Sequence, residues 1–186
     1  KNWVSFDIDK NDFSLTLNGD KIYFDFAYII IHWTPWEDWK LQGYLDMMHI
    51  PYSTWWVLNT SIWFNKEISK SVLAQYGILS PNWLLIHNSE HIDEQHIIET
   101  LGLPLFVKPN IGVGANDSYK LSDEESLMSF LSNELEETYI MEEFIDGEII
   151  SFDGICDDDS IPQIYFKETF STPIADIVNN DLDDYY

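Results

Sequence analysis

The chain has 186 residues, 45% of them hydrophobic and 16% aromatic, so it can bury a sizeable core and is not expected to be disordered. Its formal net charge of −24, with nine cationic side chains, all of them lysine, argues against nucleic acid and anionic membranes as partners, because both require clustered cations. No apolar run approaches membrane-spanning length, the N-terminal residues do not resemble a signal peptide, and the single cysteine, Cys156, allows no internal disulfide.

The first third of the chain predicts a hairpin, a buried strand and a short helix. Alternating apolar residues before Asn18-Gly19 predict a strand followed by a tight turn. The nearly continuous apolar run over residues 22–31 predicts a buried strand of a parallel sheet. Apolar residues at helical spacing predict a helix over residues 38–49. This order of elements indicates an α/β layer.

The rest of the chain predicts helices interleaved with strands that end in an antiparallel group. One helix is predicted over residues 65–76, with Ile68, Val72 and Tyr76 on one face and Gly77 after its end. A second is predicted over 92–101, and a third follows a capping box at 122–125. The predicted strands cover residues 83–86, 103–108, 139–143, 148–153 and 162–167.

The acidic run Asp157-Asp158-Asp159 is predicted to be a hairpin tip. A calcium-binding loop would need alternating ligands and a later glutamate, and the run has neither.

Two apolar strands that end in charged residues suggest a nucleotide site. Lys108 ends the first, and Gly112 and Gly114 follow it, so an ammonium group and backbone N–H groups could hold a polyphosphate. The second strand ends in Glu142 and Glu143. Taken singly, Lys108 could be an ordinary edge-strand lysine and the glutamates solvent-facing charges. Their combination favours a site.

With Pro51-Tyr52 and Asn65-Lys66 upstream, these segments resemble the ATP-grasp superfamily and, within it, the D-alanine–D-alanine ligase family. The resemblance implies an α/β fold of the α+β ATP-grasp type. Residues 1–58 would be the C-terminal part of an N-terminal, parallel α/β substrate domain, and residues 59–186 an incomplete ATP-grasp domain. The chain is therefore expected to be the middle of a longer protein.

The resemblance implies that Lys66 and Lys108 contact the nucleotide phosphates, a role that suits the compact charge of lysine. The backbone at Gly112 and Gly114 would cradle them. In the family this loop has paired serines near the transferred phosphate, and in an ungapped alignment those positions are Gly114 and Ala115.

By the same resemblance, the stretch from Glu142 and Glu143 to Ile145 is the hinge whose backbone meets the adenine edge. A following glutamate would meet the ribose. An ungapped alignment places that position on Ile149, whereas a one-residue deletion after Gly147 places it on Glu148, which is the residue we predict.

The segment from His32 to Gly43 resembles a family loop beside the active site, with His32 and Glu37 near the substrate. Tryptophan stands at positions where the family has glycine, although the residues between them match. These tryptophans are Trp33, Trp36, Trp39 and, further on, Trp56. Either the gene is read in a code in which UGA means glycine, or the chain is a divergent paralogue with a filled site. Peptide mass spectrometry of the native protein distinguishes these alternatives.

For the complete parent, the resemblance implies ATP-dependent joining of two D-alanine molecules through an acyl phosphate, in the cytoplasm, for peptidoglycan synthesis. Its Mg²⁺ ligands are expected in a C-terminal part absent from this chain, which alone is expected to form no dipeptide. Two alternatives stay open: another ATP-grasp ligase, and a non-catalytic nucleotide-binding or scaffold protein. The expected partners are ATP and D-alanine, with no nucleic acid or membrane, and a homodimer is possible for this family.

Overall fold

The computed structural model describes residues 6–31, 34–87, 93–113, 117–133, 135–156 and 162–170. The chain divides into two compact units, Lys1–Ser69 and Lys70–Tyr186. This division falls within a helix, and the domain boundary expected after residue 58 stays a prediction. Within the described ranges, no helix has the length and apolar character needed to cross a membrane.

The predicted hairpin is present at the start of the first unit. Strands β1 (Leu15–Leu17) and β2 (Asp20–Ile22) pair antiparallel. The turn between them places Asn18 at φ 53° and Gly19 at φ 94°. Two successive left-handed residues are what a two-residue hairpin turn requires, and an Asn-Gly pair adopts them at low cost. The Asn18-Gly19 prediction is confirmed.

The apolar run after this hairpin is not the buried strand that its composition predicts. It forms one isolated parallel bridge, between Ala27 and Tyr52. Ala27 is buried, whereas Tyr28 is 75% and Ile30 73% exposed. A strand needs hydrogen-bonded neighbours along its length, and as far as the structure describes the chain this run has backbone pairing only around Ala27. The prediction of a strand over residues 22–31 is wrong. Of these residues, only Ile22, the last residue of β2, lies in a strand.

Three helices follow: α1 (Lys40–Met47), α2 (Val57–Phe64) and α3 (Lys66–Gln75). The predicted helices over 38–49 and 65–76 are confirmed to within two residues at each end. Gly77, at φ 71°, follows α3 as predicted. Helix α2 was not predicted, because its apolar residues surround the helix and give no one-sided pattern.

The burial of α3 differs from the expected pattern. Ile68 and, one residue after the helix, Tyr76 were predicted on an apolar face but are exposed, while Lys70 is buried. The side chain of a buried lysine requires a partner, and that partner lies on the sheet of the second unit, to which Lys70 also belongs.

The second unit contains a four-stranded antiparallel sheet in the order β3-β6-β4-β5. The strands are β3 (Trp83–Ile86), β4 (Leu105–Pro109), β5 (Tyr119–Leu121) and β6 (Tyr139–Glu143). The strands predicted at 83–86 and 139–143 are confirmed at both ends, and that at 103–108 begins two residues later than predicted and ends one later. The three-residue β5 was not predicted. The most buried side chains of the sheet are Leu105, Val107, Ile140 and Met141.

Helices α4 (Glu94–Leu101) and α5 (Glu124–Leu131) complete this core through Ile97 and Leu127. Gly102, at φ 73°, is the C-cap of α4.

The capping box of α5 lies one residue after its predicted position. Asp123 is the N-cap: its carboxylate accepts the Ser126 N–H at 2.8 Å, and Ser126 Oγ accepts the Asp123 N–H at 3.1 Å. The backbone hydrogen bond from Ser126 lowers the pKa of Asp123. Ser122 was predicted as the N-cap, but an aspartate at the next position also satisfies the free N–H groups of the first turn and adds a favourable charge.

Strands β7 (Ile149–Cys156) and β8 (Pro162–Phe170) form a separate antiparallel pair. They confirm the strands predicted at 148–153 and 162–167, with longer C-terminal ends. A Cβ atom added to Gly154 would lie 2.6 Å from the carbonyl oxygen of Ile164, so the close pairing requires glycine there. The acidic run Asp157-Asp158-Asp159 lies outside the described residues.

Candidate nucleotide-binding site

The candidate site begins with a cross-strand pair in the middle of the sheet. In the antiparallel pairing of β4 with β6, Lys108 lies opposite Ile140 and Phe106 opposite Glu142. Lys108 and Glu142 are therefore diagonal neighbours on one face, within reach of each other as long side chains. Lys108 Nζ donates a hydrogen bond to Glu142 Oε2 at 2.9 Å. The structure thus brings together two residues that are 34 positions apart in the chain.

A second lysine completes what we call the Glu142 cluster, made of Lys70, Lys108 and Glu142. Lys70 Nζ lies 3.0 Å from Glu142 Oε1. The side chains of Lys70 and Glu142 are 10% and 6% exposed, and that of Lys108 is 25% exposed. The cluster has two positive charges against one negative charge. An excess cation in a poorly solvated place is suited to an anionic ligand.

The two oxygens of Glu142 are not equivalent. Oε2 accepts an aligned hydrogen bond from Lys108. Oε1 is close enough to Lys70 for an ion pair but has no well-aligned donor, although it is fully buried. A buried carboxylate oxygen without an aligned donor can accept a hydrogen bond from a ligand.

Lys70 was not among the site residues predicted from the sequence. It follows Lys66 by four positions on α3, so the two lysines lie on the same side of the helix. That spacing is the signal from which Lys70 could have been found. Lys66 itself is the first residue of α3 and is half-buried in the first unit.

The loop after β4 has an unusual backbone conformation at one of its two glycines. Gly112 has φ 124°, a conformation that L side chains rarely adopt. Before it, Asn110 N donates to the carbonyl oxygen of Thr138 at 2.9 Å, which fixes the start of the loop beside β6. Gly114 lies outside the described residues.

The predicted hinge residues after Glu142 have separate surroundings. Glu143 Oε1 accepts the Asn82 N–H at 2.8 Å, and Glu143 N donates to the Asn82 carbonyl at 3.1 Å. Glu143 therefore ties the end of β6 to the residue before β3. Ile145 and Glu148 lie beyond the strand and are exposed. Of the residues predicted to form the hinge, only Glu142 belongs to the Glu142 cluster.

The tryptophan-containing loop of the first unit shows strain at one position. Trp39 is the N-cap of α1 and has φ 66°, in the left-handed region, with no side-chain cap. Trp36 has no positive φ, and Trp56, the N-cap of α2, has φ −67°. Trp39 is held by an edge-on contact with Phe64, with ring centroids 5.7 Å apart. Trp33 and His32 lie outside the described residues.

Around these tryptophans, polar residues are buried and paired. Asp38 is buried and forms an ion pair with Lys40. Burial raises the pKa of Asp38, but hydrogen bonds from Lys40 and Thr34 outweigh that effect and leave the pKa lowered. Gln42 Nε2 donates to the Trp36 carbonyl at 2.8 Å.

Glu37, predicted to lie near the substrate, is half-buried beside Asp38. Among the residues that the structure describes, no group of three or more His, Cys, Asp or Glu side chains could hold a metal ion.

Comparisons with known proteins identify the relatives of this chain. No model of a protein family matches it. The D-alanine–D-alanine ligase of Azobacteroides pseudotrichonymphae genomovar. CFP2 is 39% identical over 189 residues, covering 99% of this chain and 56% of that protein.

Two solved structures are also similar. The D-alanine–D-alanine ligase from Bacillus anthracis matches with a TM-score of 0.63 at 29% identity, over 80% of this chain and 55% of that one. The same ligase complexed with ATP matches with a TM-score of 0.60 at 34% identity, over 68% of this chain and 43% of that one.

The chain spans about half the length of the curated relatives that it matches. Within that half, the sequence similarity covers nearly every residue, and the mixed helix and sheet architecture matches that of the solved ligases. The predicted α/β fold of the ATP-grasp type is confirmed. Over nearly its whole length, this chain is similar to D-alanine–D-alanine ligases.

Proposed function

We propose that this chain is the nucleotide-gripping part of an ATP-dependent ligase that joins two D-alanine molecules for peptidoglycan synthesis in the cytoplasm. The observation that supports this most directly is the Glu142 cluster, in which two lysines meet one buried carboxylate at the centre of the sheet. The relative of known structure that was solved with ATP supports the choice of nucleotide.

The residues of the cluster fit the chemical groups of ATP. Lys108 is the more exposed lysine and would meet a phosphate, for which an ammonium is a compact charge partner. By family resemblance, the backbone of the stretch from Glu142 to Ile145 would meet the adenine edge. The left-handed backbone at Gly112 would let the loop approach the phosphates closely. Lys66, Gly114, Ile145 and Glu148 remain proposed nucleotide contacts by family resemblance.

In the proposed reaction, ATP supplies the phosphoryl group that activates one carboxylate for attack by an amine. The contribution of this chain is to orient the nucleotide and to offset its charge, which are the main tasks of protein side chains in phosphoryl transfer. Mg²⁺ is proposed as the counter-ion of ATP. The described residues offer no group of three His, Cys, Asp or Glu side chains that could hold it.

Calorimetry of ATP binding in the presence of Mg²⁺ tests the proposal. Lys108→Met should weaken ATP binding by about ten- to a hundredfold, because it removes a charge-assisted contact with phosphate. Lys10→Met is the matched control, since it makes the same change at an exposed lysine of the first unit and should leave the affinity unchanged. The proposal fails if the folded wild-type chain does not bind ATP, or if both variants bind as the wild type does.

A non-catalytic nucleotide-binding relative is the second candidate function. The observation that favours it is Trp39, a large side chain at a left-handed position two residues after Glu37 in the sequence. Expression of the full-length gene in a bacterium that lacks its own D-alanine–D-alanine ligase separates the two. Growth with glycine at positions 33, 36, 39 and 56, but not with tryptophan, supports a ligase whose gene is read with glycine there. Absence of growth with either version favours the non-catalytic function.

A further inference from the structure

Lys70 is a buried cation that pairs with the carboxylate of Glu142, and this carboxylate already has another partner. Glu142 is paired with Lys108 through Oε2, so one lysine is enough to balance its charge. Removing a second ammonium group from water costs free energy that a single carboxylate repays only in part. The presence of Lys70 therefore needs an explanation other than neutralising Glu142 in the state that the structure shows.

The two lysines differ in their freedom to leave Glu142. Lys108 is more exposed than Lys70 and belongs to the last residues of β4, next to the Gly112 loop. Its Nζ also lies 5.6 Å from the centre of the Phe106 ring, a weak contact that a phosphate could replace. Lys70 is fixed within helix α3 and has little exposed surface. Lys108 is thus the mobile partner and Lys70 the permanent one.

We propose that Lys70 is a positioning residue that keeps Glu142 neutralised while Lys108 turns from Glu142 to a nucleotide phosphate. This inference rests on the proposed function. With Lys70 present, Lys108 can leave without stranding a buried carboxylate. Without Lys70, its departure would leave Glu142 unpaired in a poorly solvated place, so Lys108 stays on Glu142 and phosphate binding weakens.

Calorimetric titration with ATP and, separately, with adenosine tests this on the wild-type chain, Lys70→Met, Lys70→Arg and the double variant Lys70→Met with Glu142→Gln. Lys70→Met should weaken ATP binding by about tenfold and change adenosine binding by less than about twofold, because only phosphate binding needs Lys108. Lys70→Arg keeps the charge and should stay within about threefold of the wild type. The double variant removes the stranded carboxylate and should regain most of the ATP affinity.

The titration results distinguish a failure of the role proposed for Lys70 from a failure of the proposed function. A folded wild-type chain that does not bind ATP overturns the proposed function and this inference with it. Wild-type ATP affinity in Lys70→Met overturns the role of Lys70 alone. Equal losses for ATP and adenosine overturn it as well, because they indicate a general structural role.

If Lys70→Met does not fold, as judged by circular dichroism, the double variant decides. ATP binding within about threefold of the wild type then supports the proposal, and binding weaker by more than about tenfold overturns it.

Discussion

Two apolar stretches of this chain differ in how far their side chains are buried. Strand β6 and the run over residues 23–31 are both rich in large apolar side chains, yet Ile140 and Met141 of β6 are fully buried while Tyr28 and Ile30 are mostly exposed. Strand β6 is paired with β4 along its whole length and with β3 over residues 139–142. The difference shows that apolar composition selects a segment for burial only where neighbouring strands and helices are present to cover it.

The largest expected effect contrasts one isoleucine from each stretch. Ile140→Ala should lower the free energy of unfolding by about 2–5 kcal/mol, because it leaves a cavity in the sheet core. Ile30→Ala, the same change at an exposed position, should alter it by less than about 0.5 kcal/mol. Urea denaturation of both variants measures the difference. Similar losses in the two variants would mean that the 23–31 run is covered in solution.

An intermediate effect is expected at Trp39. Trp39→Gly should raise the free energy of unfolding by about 1 kcal/mol, because relief of the left-handed backbone exceeds the loss of the contact with Phe64. Trp36→Gly is the matched control at a position without a positive φ and should lower it by about 1 kcal/mol. Thermal or urea unfolding measures both. A destabilising Trp39→Gly would show that the ring contact outweighs the strain.

The smallest effect concerns pH and Asp38. A carboxylate whose pKa is lower in the folded than in the unfolded chain stabilises the fold above its ordinary pKa of 3.8 and loses this contribution as the pH falls through the folded value. The stability difference between the wild type and Asp38→Asn should therefore be largest near neutral pH and shrink below about pH 4. Urea unfolding at several pH values measures it. A difference that grows on acidification would mean that burial, which raises the pKa, dominates at Asp38.

Secondary structure is predicted most accurately where the local residue pattern and the neighbouring strands favour the same structure. Strands 83–86 and 139–143 were predicted to the residue, because short apolar runs are bounded there by turn-forming or charged residues. The pairing of Lys108 with Glu142 was not itself predicted, but both residues were chosen for the same site. Their roles toward a nucleotide stay predictions.

The features that were missed depend on contacts between distant residues. Lys70 and Glu142 are 72 positions apart, and no periodic pattern in the sequence indicates that they pair. Helix α2 lacks a polar face, and β5 has too few residues for an alternating pattern. The strand predicted over residues 22–31 is wrong because a pattern of apolar residues contains no information on which partner covers them.

The Glu142 cluster also affects how fast an anion can arrive. The whole chain has a net charge of −24, so a polyphosphate is repelled at long range and attracted only near the two lysines. At an ionic strength of about 0.1 M, charges more than about 10 Å apart are largely screened. Moderate salt should remove the repulsion before it weakens the partly buried attraction. The association rate of an anionic ligand would then rise with added salt, the opposite of what electrostatic steering produces in a protein with an attractive overall charge.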